Sequence, residues 1–272
     1  MFSLAIPTLD RYDKYLSKFL PKYIANDLID EIVICDENGN DVQKIKENFN
    51  SPKLKLHVNK SRLGVFRNKR KSALLTKNKW IAIVDSDNFG GLDYFQNAKR
   101  YIDKNIGEND QYAIIAPCYA KPNFLFHWLA GETFDKSNFL ETLIRQHEKK
   151  IEKRWTIEVL LNMMNGIYHR KIFELMDIEK EKEIINNSPS IDSVIFNMLA
   201  MEQVNAKIHC VAGVEYEHNI SDDSFYLKEN SNPNAFSYRN NVIKRFYTFI
   251  FEHSSLPLLK KYFLLKAPNC YD

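Results

Sequence analysis

The sequence predicts an α/β protein with a mostly parallel central sheet flanked by helices. Two observations support this fold class. Short and fully apolar runs such as Ile81–Val84 alternate with longer segments of helical periodicity, and turn signals such as Glu37–Asn40 separate the two kinds of segment. Continuous apolar runs are typical of strands buried on both faces, and strands that alternate with helices form parallel sheets.

The elements of the first part of the chain follow in order. We predict strands at 2–6, 31–35, 53–58 and 80–84, with helices at 10–24, 41–49 and 64–77 between them. In such sheets ligands bind beyond the carboxyl ends of the strands. Thr8, Asp36 and the pair Asp85 and Asp87 stand just after three of these strands. We therefore expect these polar side chains at one edge of the sheet.

The pattern is looser after Gly90 and Gly91. We predict helices at 93–106, 139–150, 170–176 and 191–203, strands at 112–117, 159–168 and 208–216, a polar loop through Asn234, and an aromatic and basic segment from Phe236 onwards. The sequence shows no linker, repeat or low-complexity segment. Residues 1–272 are therefore predicted to form one domain.

Composition and charge describe an ordinary globular protein. The chain is 44% hydrophobic and 27% charged, and its formal net charge of +3 argues against nucleic acid as a partner. The four cysteines lack CxxC spacing and are expected to be free thiols. The N-terminus lacks the regions of a signal peptide, and no apolar stretch reaches the roughly 20 residues of a membrane span. We expect a cytoplasmic protein.

The acidic turn, Asp85–Ser86–Asp87, is the first candidate site. Two carboxylates one residue apart repel each other, and a hydrated turn could tolerate this arrangement. They can also converge on one hard divalent cation, because oxygen ligands suit Mg²⁺ or Mn²⁺. The remaining coordination positions would accept a diphosphate, whose developing charge the cation neutralises. The turn therefore indicates a candidate metal site at Asp85 and Asp87.

Four segments, in this order, resemble the nucleotide-binding half of GT-A glycosyltransferases, most closely family 2. That family has strand-Pro-Thr, strand-Asp-Asp or Asp-Glu, a segment similar to Asn-x-Gly-x-x-x-Ala-Arg-Asn, and strand-Asp-x-Asp. The matching residues are Pro7–Thr8, Asp36–Glu37, Leu63–Asn68 and Asp85–Asp87. The resemblance covers about residues 2–90 well and the remainder loosely.

The resemblance implies a GT-A fold and a division of labour along the chain. Residues 1–105 would bind the nucleotide, residues 106–235 would hold the acceptor and the catalytic groups, and residues 236–272 would form a C-terminal helical segment. The implied donor is a nucleotide-diphosphate sugar, with a UDP-sugar favoured. The implied acceptor is a hydroxyl of a glycan or a lipid-linked glycan.

The resemblance also implies roles for residues of the nucleotide-binding half. Thr8 and Asp36 would border the nucleoside, with Asp36 accepting a hydrogen bond from the base. Asp85 would contact the ribose or metal-bound water, and Asp87 would bind the metal directly. The full implied donor site consists of Pro7, Thr8, Asp36, Arg62, Arg67, Asn68, Asp85, Ser86 and Gly166. For the basic residues after Asn68, a solvated helix face is the alternative.

Asp192 is the implied catalytic base of an inverting reaction. It stands at the start of a predicted helix, where the resemblance places a carboxylate that takes the proton of the attacking acceptor hydroxyl. An N-terminal helix cap is the alternative role, since aspartate caps helices well. The family usually has Glu-Asp here, whereas Ile191 precedes Asp192 in this chain. Gly166, ahead of the helix at 170–176, would let the substrate approach the backbone closely.

His218 is the third implied metal ligand. It follows the predicted strand 208–216, at a position where some GT-A enzymes complete their metal site with a histidine. A neutral imidazole accepts Mn²⁺ readily, so this ligand would favour Mn²⁺ over Mg²⁺. A plain surface histidine is the alternative.

Three further alternatives stay open. The C-terminal segment could lie on an anionic membrane, as a peripheral contact, or pack under the sheet. A nucleotidyltransferase of sugar phosphates could share the sheet and the acidic site, but it would require a glycine-rich basic loop where Pro7–Asp10 stands. A catalytically inactive nucleotide-sugar-binding protein would use the same pocket without turnover.

Overall fold

The computed structural model describes residues 1–108, 110–122, 124–125, 127–142, 161, 165–187, 191–219 and 233–257, the last of these as backbone alone up to 239. The strands are β1 Phe2–Thr8, β2 Ile29–Asp36, β3 Leu54–Val58, β4 Trp80–Ile83, β5 Ala113–Lys121, β6 Phe124–Leu125, β7 Thr133–Phe134, β8 Ile167–His169 and β9 Lys207–Glu217. The α-helices are α1 Ser17–Ile24, α2 Asn40–Asn48, α3 Val65–Leu74, α4 Leu92–Asn105, α5 Lys171–Leu175, α6 Lys182–Asn187, α7 Asp192–Val204 and α8 Pro233–His253. A π-helical turn at Tyr12–Leu16 precedes α1, and a 3-10 turn at His127–Leu129 follows β6.

Nine strands of the described chain form one sheet in the order β3-β2-β1-β4-β8-β5-β9-β7, with β6 paired to β5. The strands β3, β2, β1 and β4 are parallel neighbours, and β5 and β9 form another parallel pair. The short strand β8 runs antiparallel to both β4 and β5 and so joins the two groups. The predicted fold class, a mostly parallel sheet flanked by helices, is confirmed.

Helices cover both faces of the sheet because its strands are apolar on both sides. On one face, α3, α7 and α8 pack around a core that includes Phe66, Phe196 and Phe246. On the other face, α1, α2 and α4 enclose a second core that includes Leu20 and Phe95. The two faces are therefore filled by packing, which leaves the edges where strands end for binding ligands.

The predicted elements of the first part agree with the structure to within a few residues. The largest difference lies in the predicted helix 10–24, whose first part is the π-helical turn. Later, β5 and β9 extend to Lys121 and Glu217, beyond their predicted ends, and α8 begins at Pro233, inside the predicted loop. Proline suits the first position of a helix. The predicted helix 139–150 lies outside the described residues after 142, as does half of the predicted strand 159–168, whose described end forms part of β8.

The C-terminal helix α8 packs its apolar side against the protein. Phe246 and Ile250 are fully buried. Arg245 forms ion pairs with Glu181, which precedes α6, and with Glu202 of α7. The sequence left two alternatives open for this segment, a peripheral membrane contact and packing under the sheet, and the structure shows packing. In the described part of the chain, no helix combines the length and the apolar character that a membrane crossing requires.

Three cysteines are buried in the sheet. Cys35, Cys118 and Cys210 are free and inaccessible to solvent. Burial raises the pKa of Cys35 to about 11 and that of Cys118 to about 12, so both stay protonated at neutral pH. These residues agree with the expectation of free thiols, and Cys270 lies outside the described residues.

Candidate active site

The carboxyl ends of β1, β2 and β4 meet at one edge of the sheet, which we call the carboxyl edge. Thr8 and Asp36 are paired in register at the ends of β1 and β2, and Pro7 lies one residue earlier, buried in the sheet. Just beyond β4, the N–H of Val84 donates to the carbonyl of Ala5 at 3.1 Å. The carboxyl edge therefore gathers the polar residues that follow the strands, as their alternation with helices predicts.

Thr8 is held by Asp41 of α2, a residue that the sequence did not single out. The Thr8 hydroxyl donates to the Asp41 carboxylate. The same carboxylate accepts hydrogen bonds from the backbone N–H groups of Arg11 (2.9 Å) and Tyr12 (2.8 Å). These donors lie at the N-terminal end of the π-helical turn, and the buried carboxylate satisfies them. The negative charge of the Asp41 carboxylate thus orders the loop after β1.

Asp36 and Glu37 fix the next two loops. Asp36 is fully buried and accepts hydrogen bonds from the N–H groups of Asn38 (3.2 Å) and Val42 (3.0 Å), which stabilises the turn into α2. Glu37 accepts from the N–H of Leu63 at 2.7 Å and so ties the segment before α3 to the end of β2. A contact between Asp36 and a nucleobase stays a prediction.

Asn68 belongs to a buried polar network that joins α3 to β2. Its amide donates to the carbonyl of Cys35 (3.0 Å) and accepts from the amide of Asn59 (2.9 Å). The Asn59 side-chain oxygen in turn accepts from the Lys71 ammonium at 2.7 Å. Asn68 is therefore near the end of β2, where the resemblance implies a role beside the base, and a contact with the base stays a prediction.

The arginines around α3 have other partners. Arg67 Nη1 lies 3.8 Å from Glu179 Oε1, so this side chain faces the loop before α6. Arg62 is exposed and lies close enough to Asp10 to contribute to its electrostatic environment. Arg70 donates to main-chain carbonyls at the end of α5. The donor contacts implied for Arg62 and Arg67 stay predictions.

Asn165 fixes the first aspartate of the acidic turn, and the sequence reasoning missed this residue. Its Oδ1 accepts from the N–H of Asp85 at 2.7 Å, and its Nδ2 donates to Asp85 Oδ2 at 3.3 Å. The carbonyl of the next residue, Gly166, accepts from the N–H of Ile83 at 3.0 Å and continues the pairing of β4 with β8. Gly166 therefore lies beside the acidic turn. The sequence signal that could have identified Asn165 is its position, a polar residue directly before this glycine.

The end of β9 holds the other side of the acidic turn. Asn219 Nδ2 donates to the main-chain carbonyl of Asp87 at 2.6 Å. Phe89 and Glu217 exchange two backbone hydrogen bonds, of 3.0 and 2.8 Å. His218 lies between these two anchors, so the structure places it next to the turn. Ligation of a metal by His218 stays a prediction.

Burial shapes the charge of the acidic turn. Burial, with a smaller contribution from Asp85, raises the pKa of Asp87 to about 6. Burial also lowers the pKa of His218, so its imidazole is neutral at physiological pH. Among the described residues, no three His, Cys, Asp or Glu side chains are grouped closely enough to hold a metal by themselves. A cation site at Asp85, Asp87 and His218 stays a prediction, in which ligand oxygens and water would complete the coordination.

Lys69 joins the acidic turn to α7. Its Nζ lies 2.8 Å from Asp85 Oδ1 and 2.7 Å from Asp192 Oδ2, and its side chain is only 4% exposed. We call this arrangement the lysine bridge. Although burial opposes the charge, the carboxylates of Asp192 and Asp85 raise the pKa of Lys69, so the ammonium stays charged. A solvated helix face, our alternative for the residues after Asn68, is wrong for Lys69.

The sequence contained a signal for Lys69. Counted from Gly64, the spacing Gly-x-x-x-Ala-Arg-Asn puts Asn68 at the alanine position and Lys69 at the arginine position. Matching the Arg-Asn pair by identity selects Arg67 and Asn68 instead. In the structure Lys69 contacts the acidic turn, whereas Arg67 pairs with Glu179.

Asp192 lies in the first turn of α7, one residue after the N-cap Ile191, and is buried. The Lys69 ammonium lies 2.7 Å from its Oδ2 and forms an ion pair with it. Burial raises the pKa of Asp192 although the charge of Lys69 opposes this shift. The negative charge also suits the positive end of the helix dipole. A base and a helix-stabilising charge are compatible roles here.

No protein-family model and no curated protein matches the sequence. Solved structures match over nearly the whole chain. S. aureus TarS 1–349 aligns with a TM-score of 0.61 at 17% identity, over 96% of this chain and 68% of that one. The same fragment in complex with UDP-GlcNAc gives a TM-score of 0.63 at 16% identity, over 96% and 69% of the two chains.

A mannosyltransferase, PcManGT from Pyrobaculum calidifontis, gives a similar match. Its complex with GDP-Man and Mn²⁺ aligns with a TM-score of 0.58 at 13% identity, over 97% of this chain and 68% of that one. Identities this low establish the fold alone. TarS and PcManGT are GT-A-type glycosyltransferases. The chain therefore has the fold of the GT-A glycosyltransferases, as the resemblance of its sequence implies.

Proposed function

We propose that this protein is a metal-dependent, inverting glycosyltransferase of the hexosyltransferase type. It would move a sugar from a nucleotide-diphosphate sugar, with a UDP-sugar favoured, to a hydroxyl acceptor in the synthesis of a glycan. The lysine bridge carries the proposal, because it holds a candidate base, Asp192, next to a candidate donor site at the acidic turn. The fold supports it, since TarS and PcManGT have structures in complex with nucleotide sugars.

The donor would lie along the carboxyl edge, with its nucleoside beside Thr8 and Asp36 and its diphosphate at the acidic turn. Buried side chains fix the loops there. The carboxylates of Asp41, Asp36 and Glu37 accept hydrogen bonds from backbone N–H groups of these loops. Loops that are ordered before binding lose little conformational entropy when the ligand arrives. A preorganised edge therefore supports a binding role.

Asp85, Asp87 and His218 would hold the divalent cation, with Mn²⁺ favoured because an imidazole is among the donors. The bound cation would neutralise the charge that develops on the leaving diphosphate. Burial, and to a smaller extent Asp85, raises the pKa of Asp87, and a bound cation would stabilise its ionised carboxylate. The neutral state of His218, which follows from its lowered pKa, suits a metal ligand.

Asp192 would act as the general base. The acceptor hydroxyl oxygen would form a bond to the anomeric carbon from the face opposite the diphosphate, and its proton would pass to the Asp192 carboxylate. The bond between the anomeric carbon and the diphosphate oxygen would break, with its electron pair leaving on the diphosphate. This displacement inverts the configuration. Burial raises the pKa of Asp192, which makes it a better proton acceptor.

A nucleotidyltransferase fits the loop after β1 less well. Such an enzyme would need unpaired backbone N–H groups there to hold a triphosphate. In this chain, the N–H groups of Arg11 and Tyr12 and the hydroxyl of Thr8 all donate to the Asp41 carboxylate. A phosphate at this place would compete with a buried negative charge. The glycosyltransferase proposal therefore has the better support.

The acceptor would bind on the β5 and β9 side of the acidic turn. Phe124 and Leu125 of β6 are exposed there, and the ring of Phe124 lies 5.1 Å from that of His218. Exposed aromatic rings suit the apolar faces of sugars, which supports a glycan or lipid-linked glycan as acceptor. The apolar side of α8 is packed against the protein, so a peripheral membrane contact would have to use its other side. We propose a cytoplasmic location for the protein.

Asp192→Asn tests the proposal, because asparagine keeps the shape of the side chain and removes the base. We expect the affinity for UDP with Mn²⁺, measured by calorimetry, to stay within a few-fold. Transfer from a UDP-sugar should fall at least about a hundredfold, the lower limit for general-base catalysis. Asp103→Asn is the matched control, since Asp103 forms its ion pair with Lys99 on the exposed side of α4.

Three outcomes would contradict parts of the proposal. Undiminished turnover of Asp192→Asn would remove Asp192 from the role of base. A product with retained anomeric configuration, seen by NMR, would contradict inversion. Donor binding by the wild type without hydrolysis or transfer would favour the inactive alternative. A thermal-shift screen of nucleotide sugars with Mn²⁺ would identify the donor for these experiments.

A further inference from the structure

The lysine bridge connects two groups to which the proposed function gives separate tasks. Asp85 belongs to the candidate donor site in the turn after β4, and Asp192, the candidate base, belongs to α7. Lys69, from α3, contacts both carboxylates with one ammonium, at 2.8 and 2.7 Å. The side chain is almost completely buried. A buried ammonium in a fixed place holds both carboxylates in a defined relation to each other.

Both oxygens of Asp85 have partners within the protein. Oδ1 contacts Lys69 Nζ, and Oδ2 accepts from Asn165 Nδ2. A divalent cation that approached Asp85 would therefore have to compete with an ammonium for the same carboxylate.

We infer that Lys69 is a positioning residue that orients Asp192 for the proposed transfer reaction and, by occupying Asp85, weakens the binding of a free divalent cation. The inference rests on the proposed function. Lys69 contacts neither substrate nor reacting atoms in this scheme and acts through the two carboxylates. A cation would then bind well only together with the donor, whose diphosphate oxygens add ligands that the protein does not supply.

This role differs from a purely structural one in a measurable way. Loss of a structural residue would weaken the cation site or leave it unchanged. Loss of the positive charge of Lys69 should strengthen the cation site, because one repulsive charge disappears and Asp85 is released. The same change should impair transfer, because Asp192 loses the contact that orients it.

The experiment compares Lys69→Met with the wild type in two assays. Titration with Mn²⁺ alone, followed by electron paramagnetic resonance, should give roughly tenfold tighter binding for the variant, since removing a unit charge a few ångströms away is worth at least this much. With a UDP-sugar, kcat should fall on the order of a hundredfold, as misplacement of a reacting group does, while the donor KM changes little. Lys99→Met, on exposed α4, is the control and should change neither value.

Unchanged or weaker Mn²⁺ binding by Lys69→Met would overturn the inference, even if the wild type is an active glycosyltransferase. A wild type that transfers sugar and binds Mn²⁺ only with UDP agrees with the inference. A wild type that never binds Mn²⁺ would count against the metal dependence in the proposed function and against the inferred competition at Asp85.

A second measurement tests the bridge without any metal or substrate. Lys69→Met alone leaves the carboxylate of Asp192 buried without its counter-ion, so the melting temperature should fall clearly. Lys69→Met combined with Asp192→Asn removes both charges and should restore part of the loss. Strictly additive losses in this double-mutant cycle would overturn the inferred contact.

Discussion

Asp87→Asn should stabilise the ligand-free protein at neutral pH while it removes a candidate metal ligand. Burial and the neighbouring Asp85 raise the pKa of Asp87 to about 6, from an ordinary value of 3.8. That difference corresponds to at most about 3 kcal/mol of unfavourable free energy for the ionised carboxylate in the folded state. Asparagine has the same shape without the charge. The free energy of unfolding should therefore rise by about 1–3 kcal/mol.

The sign of the pH dependence follows from the same pKa. Because the pKa of Asp87 is higher in the folded than in the unfolded protein, folding favours the protonated carboxyl. Wild type and Asp87→Asn should be about equally stable below about pH 4, where the carboxyl is protonated in both states. The advantage of the variant should grow between about pH 4 and 6 and stay constant above about pH 6.

Urea denaturation followed by circular dichroism, in the presence of EDTA, measures this difference at several pH values. Asp103→Asn serves again as the control, because it removes an exposed carboxylate of α4. The reasoning would be refuted by a variant that is less stable than the wild type at neutral pH, or by a gain that does not depend on pH. The variant should also lose Mn²⁺-dependent binding of UDP, and unchanged calorimetric affinity would remove Asp87 from the metal site.

The other predictions concern the surroundings of the site. Arg245→Met should lower the free energy of unfolding by about 1–2 kcal/mol, since Glu181 and Glu202 lose their shared cation; an unchanged thermal midpoint would contradict this. Asn165→Leu should weaken Mn²⁺-dependent UDP binding about tenfold, because Asp85 loses two hydrogen bonds; calorimetry within twofold of wild type would exclude this role. Chelation by EDTA should abolish transfer and Mn²⁺ should restore it better than Mg²⁺, whereas activity that persists in EDTA would argue against metal dependence.

Most of the parallel half of the sheet was predictable because β1, β2 and β4 each contain an uninterrupted apolar run closed by polar residues. Thr8, Asp36 and Asp85 fall at the carboxyl ends of such runs, so their common edge followed from the alternation with helices. The second half lacks this regularity. The strand β8 has only three residues, too few for a pattern, and β5 and β9 continue past their apolar parts because their ends pair with each other.

The missed site residues have partners far away in the sequence. In the sequence, Lys69 is one of several basic residues on a predicted helix. Its partner Asp192 lies on a helix more than a hundred residues later, so the contact is visible only in the structure. Asn165 likewise meets Asp85 only through the pairing of β8 with β4. A local pattern cannot distinguish a buried polar residue that has such a partner from an exposed one. Only the spacing from Gly64 pointed to Lys69.

The rate of amide hydrogen exchange in the short strand β8 should report whether a ligand occupies the site. All three residues of β8 are buried; Ile167 and Tyr168 pair with both β4 and β5, and His169 pairs with β4. Exchange of their amide hydrogens with solvent therefore requires the two groups of strands to part. Because Asn165 and Gly166 connect this strand directly to the acidic turn, a donor that tightens the turn should slow exchange in β8 more than in the outer strand β3. Mass spectrometry of this single peptide would report binding without a label, whichever sugar the donor carries.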